Sequence, residues 1–120
     1  MITKKHKTPL YGIPFTIVIY SNDDEFREKF KKVNFNPPIE EFDGGVFKKD
    51  DDYFIVFSAE KKGYPTYGII AHEAKHLVNN IFIEICHELD RYNDEPECYL
   101  LGWIVNRCHE LLNRYNESRK

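Results

Sequence analysis

Residues 66–89, TYGIIAHEAKHLVNNIFIEICHEL, contain the segment around which the rest of the chain is organised. Apolar residues recur in it at three- and four-residue spacing, and Thr66 precedes the first of them as a helix cap. This pattern predicts one long helix over these residues. The motif His72-Glu73-Ala74-Lys75-His76 lies inside it. On a helix, His72 and His76 are one turn apart on the same face.

Two imidazoles at this spacing are able to reach one tetrahedral zinc ion. Glu73 is rotated by about 100° from His72 around the helix, so it flanks the open coordination position. From there it can take a proton from a water molecule that the metal activates and return it to the leaving amine. The motif therefore predicts one zinc ion (Zn2+) per chain and hydrolysis of a peptide bond. The alternative is a surface helix with two solvated histidines.

A catalytic zinc ion normally takes three protein ligands, so the two histidines need a third. His87 follows His76 by eleven residues, or about 16 Å along the helix axis, which is too far to share the ion. A carboxylate at the start of the next helix is the better candidate. Glu95 shares a helical stripe with Gly102, and a glycine would let that stripe pack closely on the histidine helix. Glu97 points roughly the opposite way and is expected to be solvated.

The rest of the chain predicts a small sheet and further helices. The stretch FTIVIY, Phe15–Tyr20, is β-branched and aromatic, as is typical of a strand. A short helix is expected from Asp23 to Val33, capped by Ser21 or Asn22. After Gly44-Gly45, a β-hairpin is expected, with the three-residue acidic turn 50–52 before its second strand, Tyr53–Ala59.

The last helix is expected from near Asp94 to about Tyr115. Its predicted core stripe comprises Cys98, Leu101, Val105, Cys108 and Leu112. The three cysteines, Cys86 included, have no CxxC spacing and are expected to be reduced core thiols. The order strand, helix, hairpin, helix, helix indicates an α+β fold, with residues 1–120 as a single domain.

Composition and charge narrow the functional classes. Hydrophobic residues make up 42% of the chain and charged residues 31%, which is ordinary for a folded soluble domain. The net charge of -3 provides no bulk attraction to nucleic acid, so no nucleic-acid partner is expected. The lysine-rich N-terminus precedes an apolar run that prolines interrupt, which argues against a signal peptide. No stretch is long enough to span a bilayer, so we expect a cytoplasmic protein without a membrane partner.

Two stretches of the chain resemble a known family. The HExxH motif followed by a helix-borne glutamate is similar to gluzincin-type zinc metallopeptidases. AHEAKHLVN with NDEPECYLLGWI resembles, more narrowly, small uncharacterised zincin-like proteins encoded by phages and prophages. The resemblance covers about residues 66–106. In the larger enzymes this glutamate belongs to an Asn-Glu pair. Here the motif is Glu95-Pro96, which departs from that pattern.

The resemblance implies a minimal zincin-like domain, with a small mixed sheet whose edge strand lies beside the cleft. It implies zinc held by His72, His76 and Glu95, with Glu73 as the general base. An oxyanion stabiliser is also expected, because negative charge develops on the attacked carbonyl oxygen. Tyr99 shares the stripe of Glu95 and is preferred for this role, although it could equally be a packing aromatic. The other candidates are Tyr64, Tyr67, Tyr92 and His109.

Besides a metallopeptidase acting on a peptide or protein substrate, three functions stay open. One is a zinc-containing binding protein without turnover, such as a phage factor that occupies a host protein; the presence of Glu73 weighs against it. Another is a metal-dependent hydrolase of a different amide or of a small molecule. The third is an interaction domain in which the motif is accidental. A long groove beside an edge strand, expected at Tyr53–Ala59, would favour a peptide substrate over a small molecule.

Overall fold

The structure, a computed structural model, describes residues 1–35 and 38–120. The fold is α+β, as the sequence predicts, with a four-stranded mixed sheet and three helices among these residues. A short 3-10 turn at Ile39–Glu41 precedes the third strand. The elements are β1 (Ile2–Lys7), β2 (Pro14–Tyr20), α1 (Asp23–Lys29), β3 (Gly44–Lys49), β4 (Asp52–Ser58), α2 (Tyr67–Glu84) and α3 (Glu95–Glu117).

The sheet has the order β1-β2-β4-β3, so β2 and β4 form its centre. These two strands run parallel, and each outer strand is antiparallel to its neighbour. Ile17 and Ile55 pack with α2 and α3 on one face, while Val18 and Val56 pack with α1 on the other. Burial on both faces explains why the sequence of β2 is an almost continuous apolar run. The predicted strand Phe15–Tyr20 is confirmed.

The predicted hairpin is present, but its turn is one residue shorter than expected. Lys49 pairs with Asp52, which leaves Asp50 and Asp51 as the turn. Both have positive φ angles, 52° and 67°. Two-residue hairpins favour this left-handed backbone because its twist matches that of the strands, and aspartate tolerates it better than most residues do.

Strand β1 is the element that the sequence did not predict. It pairs antiparallel with β2, and its residues Lys4, Lys5 and Lys7 are exposed. Charged side chains on an edge strand protect it from pairing with other chains. They also remove the alternation of apolar and polar residues by which a strand is recognised in a sequence.

Helix α2 begins where the sequence predicts, since the Thr66 hydroxyl accepts a hydrogen bond from the Ile69 amide at 3.3 Å. It ends at Glu84, before the expected Leu89. Helix α1 is also shorter than expected: its Asn22 cap is confirmed, but it ends at Lys29. No helix of the described residues is both long enough and apolar enough to cross a bilayer.

The predicted core stripe of α3 was confirmed at Cys108 and Leu112 but was wrong at its other three positions. The residues that it buries are Leu100, Ile104, Cys108, Leu111, Leu112 and Tyr115. Leu101 and Val105 are only partly buried, and Cys98 is exposed. In the sequence of α3, two neighbouring faces carry apolar residues at three- and four-residue spacing. Which of the two faces is buried depends on the sheet against which the helix packs. The three cysteines are free, but only Cys108 is a core thiol, since Cys86 is exposed as well.

Gly102 lies on the exposed side of α3, where a Cβ atom would meet nothing within 4 Å. The expectation that this glycine allows close packing on α2 was therefore wrong. Gly45 differs, because a Cβ atom there would come within 2.7 Å of the Phe42 ring.

We expect Gly102→Ala to raise the free energy of unfolding by about 0.8–1 kcal/mol, because alanine is the better helix former at an exposed interior position. Urea denaturation measures this change. Gly45→Ala, the same substitution at a crowded position, should lower the free energy of unfolding. A loss of stability in Gly102→Ala would mean that the glycine packs against another element after all.

Candidate metal centre

His72 and His76 lie on the exposed face of α2 and point to a common position. Their Nε2 atoms are 3.2 Å apart, and their rings are nearly perpendicular, with an interplanar angle of 78°. Two nitrogens bound to one tetrahedral zinc ion at 2.0–2.1 Å would be separated by about 3.3–3.4 Å. The observed separation fits that value, so the two side chains suit a shared metal ion without rearrangement of the helix.

Glu73 occupies the buried side of the same turn. Its residue exposure is 8%, and its Oε2 atom lies 4.0 Å from His72 Nε2. Burial raises the pKa of the Glu73 carboxyl above its usual value, and the neighbouring His72 and His76 partly oppose this rise. Ligand atoms of the three side chains lie within 4.8 Å of one another. A carboxylate with raised proton affinity thus stands beside a pair of metal-ligating nitrogens.

A glycine in β3 makes room for this carboxylate. A Cβ atom on Gly44 would lie 3.1 Å from Glu73 Cγ and 3.0 Å from the carbonyl oxygen of Val56. The absence of a side chain therefore allows α2 to approach the strand closely enough to bury Glu73. From the sequence, Gly44 was expected only to start a hairpin. Its proximity to Glu73 was not predictable, because the two residues are far apart in the chain.

A cleft of about 430 Å³ opens beside the three residues. One wall is α2, the other is the segment Val33–Phe35 together with Phe42, and the residues of β3 from Gly44 to Phe47 lie between them. Among the described residues β3 pairs only with β4, so its other edge is free. The expectation that β4 borders the cleft was wrong, because β4 is paired on both sides.

The structure does not bring Glu95 to the histidines. Glu95 is exposed and lines a different cavity, with Pro9, Leu10 and Tyr11. Its stripe is the solvent-facing one, because α3 buries the opposite side. Within the described residues, the one group of three side chains suited to a metal is His72, Glu73 and His76.

Glu97, which was expected to be solvated, faces α2 instead. It forms an ion pair with Lys75, and its side chain is only 20% exposed. The two glutamates are about 200° apart around the helix axis, so only one of them is able to face α2 at a time. Of these two glutamates, Glu97 is therefore the one that faces α2, where it binds the residue next to His76.

Tyr99 also lies away from the histidines. It is 68% exposed and lines the same cavity as Glu95. Polar side chains that do line the cleft are Asn34 and Asn80, neither of which was a sequence candidate. Asn80 was detectable, because it follows His76 by four residues and so shares the helical face of the histidines.

Of the remaining histidines and tyrosines considered above, several have packing partners elsewhere. His87 packs against Phe82, with ring centroids 4.7 Å apart. The rings of His109 and Tyr67 lie 4.9 Å apart. Neither pair lines the cleft.

Comparisons of the chain with models of protein families, with curated proteins and with solved structures found no match.

We expect the protein to bind about one zinc ion per chain. His72→Ala and His76→Ala should each weaken binding by more than about 100-fold, since loss of a residue that only hydrogen-bonds to a metal ligand already costs about 10–100-fold. Competition with a chromogenic chelator measures the affinity. His87→Ala and His109→Ala are matched controls and should bind zinc as the wild type does. Unchanged affinity in a variant that lacks both His72 and His76 would rule out this metal site.

Proposed function

We propose that the chain is a zinc-dependent metallopeptidase in which His72 and His76 hold the metal and Glu73 is the general base. The observation that carries the proposal is the buried carboxylate of Glu73 beside two converging imidazoles, at a cleft that runs along a free strand edge. Each part has a use in amide hydrolysis, and together they are more than a structural metal site requires.

The bound zinc ion would polarise the scissile carbonyl and lower the pKa of a water molecule towards 7. The histidines supply two nitrogen ligands, and their helical spacing fixes the separation of those nitrogens. Burial of Glu73 favours proton uptake by its carboxyl, which suits a group that must accept a proton and then release it to the leaving amine.

The third ligand is a carboxylate of the first turn of α3. The resemblance implies Glu95, whereas the orientation of α3 favours Glu97. A ligand on this turn would join α3 to α2 at the metal. The N-terminal end of a helix also interacts favourably with a negatively charged side chain.

The cleft suits an extended peptide or protein substrate. The free edge of β3 carries backbone N–H and C=O groups that an added strand is able to bind. Gly44 and Gly45 of this edge line the cleft. A closed pocket would have favoured a small molecule.

We expect Glu73→Gln to retain zinc but to lower the rate of peptide hydrolysis by about 10²–10⁴-fold, because the amide keeps the shape of the carboxylate and cannot accept the proton. The measurements are zinc content and cleavage of an unfolded protein followed by mass spectrometry. Wild-type turnover in this variant would remove Glu73 from the mechanism. Zinc binding without hydrolysis by the wild type would instead indicate a non-catalytic binding protein.

We expect Glu97→Ala to weaken zinc binding more than Glu95→Ala does, because Glu97 faces α2 and Glu95 faces solvent. The two variants are matched, since each removes one carboxylate from the same helical turn. Their zinc affinities are compared by chelator competition, with helix content checked by circular dichroism. A larger loss in Glu95→Ala would support the ligand set that the resemblance implies.

A further inference from the structure

We infer that the cleft selects peptides with a large apolar side chain, which packs on an uncharged aromatic wall opposite α2. Its apolar side chains are Val33, Phe35 and Phe42 together with Phe47 of β3, and Asn34 is the one polar residue among them within the described residues of the cleft lining. The inference rests on the proposed function, because it names the substrate class of the same site.

The two faces of β3 differ in what they offer to an added strand. Gly44 and Val46 lie on the face of α2, as the contact of Gly44 with Glu73 shows. Gly45 and Phe47 lie on the opposite face, where a Cβ atom on Gly45 would meet the Phe42 ring. The cleft includes residues from both faces and so wraps around the free edge.

A peptide that adds to this edge would direct its side chains alternately to the two faces. When one side chain points to the histidine side, those of its immediate neighbours point to the aromatic wall. The preference for an apolar side chain therefore falls on a residue adjacent to the one that faces His72 and His76.

The rings of the wall are held in place by one another. Phe35 packs against Phe42 and Phe47, with ring centroids 5.4 and 5.3 Å apart. Phe26 supports Phe35 from the core at 5.4 Å. Phe35 and Phe47 nevertheless stay partly exposed, so they have apolar surface left to cover.

The titratable residues that line the cleft within the described structure are His72, Glu73 and His76, and all three lie on α2. The aromatic wall thus offers no countercharge to an acidic or basic side chain. A charged side chain would lose its hydration there without a partner, whereas an apolar one would gain from burial.

The experiment uses peptides of one sequence that carry Phe, Ala or Glu at a single position, which is moved along the peptide. Hydrolysis by the wild-type zinc protein gives kcat/KM, and fluorescence polarisation gives the affinity of the same peptides for Glu73→Gln. At one position next to the cleaved bond we expect Phe to exceed Ala and Glu by about 10- to 100-fold, which corresponds to burial of one large apolar side chain.

Two variants of the wall and one control locate the preference. Phe35→Ala should reduce the preference for the Phe peptide to a few-fold. Val33→Arg should shift the preference towards the Glu peptide. Tyr99→Ala is the control, because Tyr99 is an exposed aromatic residue that lines a different cavity and not the cleft. This control should keep the preference. Val33→Arg changes a partly exposed residue, so it tests the wall even if Phe35→Ala fails to fold.

Failure of the inference is distinguishable from failure of the proposed function. Hydrolysis without a preference for Phe, or with one that persists in both wall variants, would overturn the inference and leave the peptidase. Binding to Glu73→Gln that prefers Phe and depends on the wall, without hydrolysis by the wild type, would overturn the peptidase and support the selective cleft. Absence of both binding and hydrolysis for every peptide would overturn both.

Discussion

The approach of α2 to β3 is the constraint on which the candidate site depends. A Cβ atom on Gly44 would lie only 3.1 Å from Glu73 Cγ and 3.0 Å from the Val56 carbonyl oxygen, so a side chain there would press on the helix and on β4. This approach buries Glu73 while its neighbours His72 and His76 stay exposed. Burial of an ionisable group costs free energy unless it has partners, and buried titratable groups are enriched at functional sites, which agrees with the role proposed for Glu73.

The parts of the site that were predictable from the sequence are those that local geometry determines. The pairing of His72 with His76 follows from 3.6 residues per turn, and the Thr66 cap follows from the orphan amides of a helix start. The α+β fold, strand β2 and the hairpin follow from the apolar periodicity and the turn residues in the same way. None of these depends on what the helix or strand packs against.

The parts that were not predictable depend on contacts between distant segments. Which strand lies at the edge was decided by the parallel pairing of β2 with β4, a contact that hairpin reasoning does not reveal. The face that α3 buries was decided by the sheet, and this reversed the expected positions of Glu95 and Glu97. Gly44 acquired its role in the same way, since its partner Glu73 is on another element.

The two sides of α2 also differ in electrostatics. Towards β3, burial raises the pKa of the Glu73 carboxyl, and the neighbouring His72 and His76 partly oppose this rise. Towards α3, the ammonium of Lys75 binds Glu97 and also donates to the Asn79 side chain at 2.9 Å. If Glu97 is the third ligand, metal binding competes with this ion pair, and Lys75 retains only the amide of Asn79. The affinity for zinc is then coupled to the packing of α3 on α2, because one carboxylate serves both.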